Sequence, residues 1–389
     1  MKKATDLQTA LTSPSADVPR IALVDSDVHP SFVKPWPDEL APYLSPAWQF
    51  KFRGGEAYTS RFGTGWSGLA YTIPFNGSYP RTGSPVRTDL ITPAEPVPAT
   101  DPKLSAAELL DRYQIDRAIL VTQSVIGIGA MPDLDAASQI AAASNDWLVD
   151  RWLNSDRRWR GTLTVAAQDP HAAVAEIERH ASNMQFVGVF ISPGNRLLGD
   201  RHYYPIYSAA ESNGLAITLH VTGTEGLAPN GPPLAGGTPT HHFDWRMNYG
   251  HPYQAYLASL IANGVFETFP GLKFVFTELG FAWLPDLMWR MDSFWKSARE
   301  DTPWIKRLPS EYVLSNCRFT TQPFIEPTKR QHVAPMLDMI HAERTLLFAT
   351  DYPHWDFDEP LRISQELTPE IRSAVMAENA VATFGSRLL

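Results

Sequence analysis

The sequence predicts an α/β fold, a distorted (β/α)8 TIM-like barrel, and two features of the chain support this prediction. From residue 104 onward, short apolar segments alternate with amphipathic segments of helical periodicity, which is typical of parallel β/α units. Counting residues 21–28 as the first strand gives eight apolar segments, the number that closes a barrel. No G-x-G-x-x-G motif follows the first strand, so a doubly wound nucleotide-binding sheet is the alternative with less support.

The elements follow one another in a regular order after the first strand. The helical segments carry apolar residues at helical spacing, and Gly214 ends one of them, as glycine commonly does. The predicted strands are residues 21–28, 117–123, 161–167, 186–193, 215–220, 272–279, 317–323 and 344–354, and the helices are residues 104–115, 134–153, 171–182, 203–214, 253–270, 283–300 and 328–342.

The chain is predicted to form one domain with two insertions. Residues 1–20 are polar and are expected to form a flexible N-terminal tail, and residues 21–389 a single barrel. Residues 31–103 are rich in aromatic residues and glycine, and contain too many prolines for regular helices. We expect this insertion after the first strand, together with residues 221–251, to cover the C-terminal mouth of the barrel, since long loops in compact domains are usually functional. A mobile linker is the alternative.

Composition and charge narrow the class of protein. The chain has 389 residues, of which 44% are hydrophobic, enough for one large core. Its net charge of −9 and the absence of a basic run argue against nucleic-acid binding. The single cysteine, Cys317, cannot form an internal disulfide, which fits a reducing compartment. No apolar run approaches the roughly 18 residues of a membrane helix, so we expect a cytoplasmic protein without membrane contact.

Ionisable side chains stand at the ends of four predicted strands. The first strand ends in Asp27 and His29, the fifth in His220, the sixth in Glu278 and the eighth in Asp351. A charge directly after apolar residues is costly unless it is paired, and the C-terminal ends of barrel strands meet at one mouth. Carboxylates and imidazoles that converge there predict a divalent metal site. The alternative is that each side chain caps the helix that follows it.

Three motifs resemble the amidohydrolase-related metal enzymes. This branch of the amidohydrolase superfamily includes aminocarboxymuconate-semialdehyde decarboxylase and the resorcylate-type decarboxylases. The motifs are VDSDVHP at residues 24–30, TLH at 218–220 and FATDYPHWD at 348–356. The resemblance covers residues 20–385 and implies a distorted (β/α)8 barrel, in agreement with the strand count.

The resemblance also implies a role for each matching residue. Asp27 and His29 match a first-strand ligand pair, and His220 matches the fifth-strand ligand. Asp351 matches an aspartate that binds the metal and acts on the attacking water or the substrate. Members usually carry a histidine at the end of the sixth strand, where this chain has Glu278. A carboxylate adds a hard oxygen ligand that can bridge two ions, so Glu278 is predicted as both a ligand and a catalytic residue.

The sequence does not determine the number of metal ions or the reaction. His242 and His251 are predicted as further ligands, and His241 and His354 as residues that orient ligands. A divalent Zn or Mn ion would fit a hydrolase or a non-oxidative decarboxylase of a small carboxylate-bearing or aromatic compound. An Fe or Mn/Fe pair bridged by Glu278 would fit an oxygenase similar to 2-aminoisobutyrate hydroxylase, or its metal-binding partner subunit. We expect a small-molecule substrate, and a homo-oligomer or pairing with a related chain.

Overall fold

Eight parallel strands form the centre of the part of the chain that the structure, a computed structural model, describes: residues 21–53, 85–193, 196–222, 241–247 and 250–389. Each strand is hydrogen-bonded to the next in sequence order, as in a (β/α)8 barrel, so the predicted fold is confirmed. The strands are β1 Val24–Val28, β2 Arg117–Leu120, β3 Trp159–Val165, β4 Phe186–Ile191, β5 Ala216–His220, β6 Phe274–Thr277, β7 Cys317–Thr320 and β8 Leu346–Leu347.

The barrel closes between β1 and the segment that follows β8. The Ser26 amide donates to the Phe348 carbonyl at 2.9 Å, and the Asp351 amide donates to the Asp27 carbonyl at 3.1 Å. Closure is irregular, because β8 has two residues and the pairing of β1 with β2 shifts register between Asp25 and Val28. The expected distortion therefore lies at the seam that also carries the first and last predicted metal ligands.

Helices connect the strands and surround the barrel. Within the described ranges, three of them continue into π-helical turns, at Ala106–Asp111, Val149–Leu153 and Ala374–Glu378. The α-helices are Trp36–Leu40, Pro46–Arg53, Pro102–Ser105, Leu134–Leu148, Pro170–Arg179, Tyr204–Ser212, His242–Arg246, Gly250–Ala262, Val265–Thr268, Leu284–Ser297, Pro309–Asn316, Val333–Met339, Ala342–Thr345, Pro360–Glu366, Pro369–Ser373 and Asn379–Phe384.

Of the buried apolar clusters in the described residues, the two largest hold these layers together. The larger cluster lies between the strands and the surrounding helices. The smaller one joins the first residues of several strands to the C-terminal helical segment, and so lies at the end of the barrel opposite the mouth. Its members are Val24, Ile119, Val187, Ala216, Val275, Leu347, Ala377, Ala380, Phe384 and Leu388. No helix in the described ranges is long and apolar enough to cross a membrane.

The described part of the first insertion contains helices that the sequence did not predict. Trp36–Leu40 and Pro46–Arg53 form because their prolines lie in the first turn, where a missing amide hydrogen costs nothing. This segment packs against the helix Leu134–Leu148, since the Trp147 indole donates to the Glu39 carboxylate at 3.0 Å. The predicted tail and much of both predicted insertions, residues 1–20, 54–84 and 223–240, lie outside the described residues.

Candidate metal centre at the barrel mouth

The side chains of Asp27, His29, His220 and Asp351 meet at the C-terminal end of the barrel. Asp27 lies within β1, His29 directly after it, His220 at the end of β5 and Asp351 after β8. All four residues are buried, and one ligand atom from each lies within 4.8 Å of the others. His29 Nε2 is 3.2 Å from Asp27 Oδ1 and 3.0 Å from Asp351 Oδ1. His220 Nε2 is 3.2 Å from Asp27 Oδ2.

Backbone carbonyls fix the orientation of both imidazoles. His29 Nδ1 lies 3.2 Å from the Val121 carbonyl, and His220 Nδ1 lies 2.6 Å from the Val221 carbonyl. Since a carbonyl oxygen accepts only, these contacts assign the proton of a neutral ring to Nδ1 and leave a lone pair on Nε2. Both Nε2 atoms then face carboxylate oxygens. Such acceptors repel one another unless a cation lies among them, as in metal sites whose histidines bind through Nε2.

The donor set fits a divalent metal ion. Within the described residues, Asp27 Oδ1 and His29 Nε2 are buried without a hydrogen-bond partner. Buried polar atoms are otherwise nearly always paired, so such orphans at the centre of a group of ligand atoms indicate a bound ion. Two imidazoles with two carboxylates suit Zn and Mn.

When the imidazoles are protonated instead, they and the carboxylates stabilise one another's charges. Burial alone would raise the pKa of Asp27, but His29 and His220 hold it below its usual value. Burial alone would lower the pKa of His29, but Asp27 and Asp351 raise it well above the ordinary value for an imidazole. A divalent cation would take over the role of those protons, because it interacts with the same carboxylates and needs unprotonated Nε2 atoms.

Asp351 is held from both sides. His354 Nδ1 lies 2.6 Å from Asp351 Oδ1, and the Gln322 amide donates to Oδ2 at 3.0 Å. The His354 ring also stacks on the His29 ring with centroids 4.7 Å apart, so one histidine supports two candidate ligands. The backbone of Asp351 is left-handed, with φ at 62°, a conformation that aspartate tolerates better than most residues. His354 thus lies where a residue that orients a ligand was expected.

Glu278 adds a third carboxylate beside the centre. It follows β6 in a left-handed conformation with φ at 57°, and its amide donates to Thr320 Oγ1 at 3.0 Å. Its Oε2 lies 3.6 Å from His220 Nε2. Burial, and then the nearby Asp351 charge, raise the pKa of Glu278 well above its usual value. Backbone strain at a buried, poorly paired carboxylate is characteristic of functional sites.

A second group of carboxylates extends from Glu278 toward the loop after β8. Glu278, Asp351 and Asp356 each offer an oxygen within 4.8 Å of the others. Arg246 reaches the same place from the helix His242–Arg246, with Nη2 2.5 Å from Asp356 Oδ2 and 4.0 Å from Glu278 Oε1. The candidate metal centre and this second cluster of residues therefore share Asp351, and the guanidinium of Arg246 lies beside the second cluster.

Two of the remaining predicted histidines, His241 and His251, are not part of either group. His251 is exposed near the start of Gly250–Ala262. His241 is exposed as well, and its amide donates to Asp244 Oδ1 at 2.6 Å. The side chain of His242 lies outside the described part of the structure, so its predicted ligand role stays a prediction.

Three residues of the site were not identified from the sequence. Gln322 follows β7, so the rule applied to the other strand ends would have found it. Asp356 lies within the quoted FATDYPHWD motif but on a loop, where periodicity gives no signal. Arg246 belongs to a segment that the sequence predicted to be irregular, and only the structure brings it to the carboxylates.

Fold and site together define a metal-dependent (β/α)8 enzyme with Asp-X-His at the end of the first strand, and comparison with known proteins agrees. The Amidohydrolase family model matches residues 24–386, so the chain belongs to this family. It is 26% identical over 270 residues to the gamma-resorcylate decarboxylase of Polaromonas sp. (strain JS666 / ATCC BAA-500), covering 64% of this chain and 76% of that protein. Its counterpart from Rhodococcus jostii (strain RHA1) is 26% identical over 272 residues, with coverages of 63% and 75%.

Solved structures show the same fold. The 5-carboxyvanillate decarboxylase of Sphingomonas paucimobilis superposes with a TM-score of 0.63 at 21% identity, covering 94% of this chain and 99% of its own. A dihydroxybenzoic acid decarboxylase from Polaromonas sp. JS666, solved with bound manganese and an inhibitor, gives 0.60 at 19% identity, with coverages of 94% and 97%. The predicted family and the predicted class, a metal-dependent hydrolase or decarboxylase, are confirmed. These relatives give no support to the oxygenase alternative.

Proposed function

We propose that this protein is a metal-dependent, non-oxidative decarboxylase of an aromatic carboxylate. The observation that carries the proposal is the buried group of Asp27, His29, His220 and Asp351 at the barrel mouth, with two orphaned ligand atoms at its centre. Such a centre could support several reactions, and the similarity to named decarboxylases favours decarboxylation among them.

The reaction replaces a ring carboxylate with hydrogen. A proton adds to the ring carbon that carries the carboxylate, the bond to the carboxyl carbon breaks, and its electron pair restores the aromatic ring as CO₂ leaves. The step consumes one proton and needs no oxidant. A divalent ion bound by the four residues would polarise a substrate oxygen and bind the substrate in a fixed orientation. The protein must then supply a proton at the ring carbon.

Asp351 and Glu278 are the acids placed to move that proton. Asp351 is oriented by Gln322 and His354, so its carboxyl group has little freedom to turn away from the centre. Glu278 is buried, and the described contacts to its carboxylate are at 3.6 Å and 4.0 Å, longer than ordinary hydrogen bonds. We assign Asp351 as a ligand that also acts as proton donor, and Glu278 as a second acid facing the substrate.

The test is a direct assay for CO₂. The protein, loaded with Mn or Zn, is incubated with a panel of aromatic acids that includes 2,6-dihydroxybenzoate and 5-carboxyvanillate, and the ring product is separated by chromatography. Run in D₂O, decarboxylation places one deuterium on the carbon that lost its carboxylate, which NMR of the product detects. Protein with Asp351→Asn is the matched control, since that substitution changes the side-chain volume little.

Parallel measurements on the same protein distinguish decarboxylation from hydrolysis and from oxygenation. CO₂ release with deuterium at the vacated carbon supports the proposal. Hydrolysis of amide or ester analogues without CO₂ release would contradict decarboxylation and leave a hydrolase on the same centre. Substrate-dependent oxygen consumption would contradict both reactions and favour the oxygenase.

A further inference from the structure

Glu278, Asp351 and Asp356 form a group of carboxylates directly beside the candidate metal centre. They share Asp351 with it, and their oxygens lie within 4.8 Å of one another. Acidic oxygens at this spacing are the ligands that a second hard cation takes in two-metal sites. Because this cluster of carboxylates is largely buried, its negative charge must be balanced by a cation close to it.

Arg246 supplies a positive charge at this place. Its Nη2 lies 2.5 Å from Asp356 Oδ2 and 4.0 Å from Glu278 Oε1. The guanidinium also lies 5.4 Å from the centroid of the Trp355 ring, a cation–π contact. Asp356 and Trp355 are adjacent in the loop after β8, so this loop holds the guanidinium from two directions.

The guanidinium and a second divalent ion compete for the same oxygens. Guanidinium is positive at all relevant pH values, and in a partly buried site it repels a divalent cation a few ångströms away. The side chain of Arg246 is 18% exposed and that of Glu278 is 8% exposed, so solvent screens this repulsion only in part.

We propose that Arg246 takes the place of a second metal ion. It balances the charge of Asp356 and keeps the centre mononuclear, so that the carboxyl group of Glu278 stays free of metal and faces the substrate. Arg246 is a positioning residue in this proposal, because it acts through Glu278. The inference depends on the metal centre described above and not on the identity of the substrate, so it does not fail if decarboxylation is not observed.

The experiment counts metal ions in four forms of the whole protein. Wild type, Arg246→Met, Arg246→Lys and the double variant Arg246→Met with Asp356→Asn are saturated with Mn, passed over a desalting column and measured by elemental analysis. Methionine keeps most of the arginine volume without charge, and lysine keeps the charge. Electron paramagnetic resonance adds a spectroscopic readout, since two neighbouring Mn ions give an exchange-coupled signal and one gives an isolated signal.

We expect about one ion per chain in wild type and Arg246→Lys, about two in Arg246→Met, and about one again in the double variant, which has lost an oxygen ligand of the second site. Two coupled ions in wild type would overturn the proposal. So would an Arg246→Met protein with native circular dichroism that still binds one ion. If Arg246→Met does not fold, Arg246→Gln is measured in its place and decides in the same way.

Discussion

The Arg387 side chain and the candidate metal centre lie at opposite ends of this barrel, and they differ in how completely their buried polar atoms are hydrogen-bonded. At the N-terminal end, Arg387 is 6% exposed, and its guanidinium donates to the carbonyls of Ala181, Asn183, Phe186 and Asn213. At the mouth, Asp27 Oδ1 and His29 Nε2 are buried without a hydrogen-bond partner in the described part of the chain. The paired donors of Arg387 stabilise the fold, whereas the unpaired ligand atoms at the mouth indicate a binding site, as expected for the end of such barrels that carries the chemistry.

A neighbouring arginine repeats the pattern at the N-terminal end. Arg160 donates through Nε to the Arg387 carbonyl at 2.8 Å and through Nη1 to the Trp159 carbonyl at 3.0 Å. Burial, and then the nearby Arg117, lower the pKa of Arg160 to about 10, so it stays charged at neutral pH. Like charges are tolerated here because carbonyl dipoles solvate them. The mouth has an excess of carboxylates instead, and needs a cation.

The largest expected effect is the loss of turnover in Asp351→Asn. The amide cannot donate an acidic proton and carries no charge for a metal ion, so we expect kcat to fall by about 10²- to 10⁴-fold. Steady-state rates on the substrate found by the CO₂ assay measure this. Asp358→Asn is the matched control, since Asp358 is equally buried but binds the Phe324 amide and Arg362. Full activity in Asp351→Asn would remove Asp351 from the reaction.

The second prediction concerns the opposite end. Arg387→Met removes hydrogen bonds to four carbonyls, of which that of Asn183 keeps the Phe186 amide as a donor, and we expect the free energy of unfolding to fall by about 3 kcal/mol. Denaturant titration measures the loss. Metal content per folded chain should not change, because the substitution lies at the far end of the barrel. A variant that lost metal but kept its stability would break the contrast between the two ends.

The third prediction tests how far the mouth depends on a supporting histidine. His354→Phe keeps an aromatic ring against His29 but removes the hydrogen bond to Asp351 Oδ1. We expect metal affinity to fall by about 10- to 100-fold, the usual effect of losing a group that orients a ligand. Competition with a chelator of known affinity measures it. His332→Phe, at an exposed histidine, is the control, and equal losses in both variants would contradict the role of His354.

The fold could be predicted because local patterns determine it. Each apolar segment became a strand, and the ionisable residues after β1, β5, β6 and β8 lie together because parallel strands in a barrel end on one side. Asp27, His29, His220 and Asp351 follow from this rule alone. That these four residues bind a metal ion is still a prediction, and measurements of metal binding test it.

The rest of the site could not be predicted, because it depends on loops. Arg246 and Asp356 are far apart in sequence and meet only through the path of the chain after β5 and β8. The prolines of the first insertion predict interrupted helices, yet Pro37 and Pro46 lie in the first turns of the helices Trp36–Leu40 and Pro46–Arg53. Composition alone does not distinguish a proline that starts a helix from one that ends it.

The smallest expected effect comes from an arginine at neither end of the barrel. Arg290 pairs with Asp286 at 2.9 Å on the helix Leu284–Ser297, and the two side chains are 62% and 69% exposed. Because solvent screens the pair, we expect Arg290→Met to change the free energy of unfolding by less than about 0.5 kcal/mol. The measurement is the denaturant titration used for Arg387→Met. A similar loss in both variants would mean that removing any arginine is costly, and that carbonyl saturation at Arg387 has no special role.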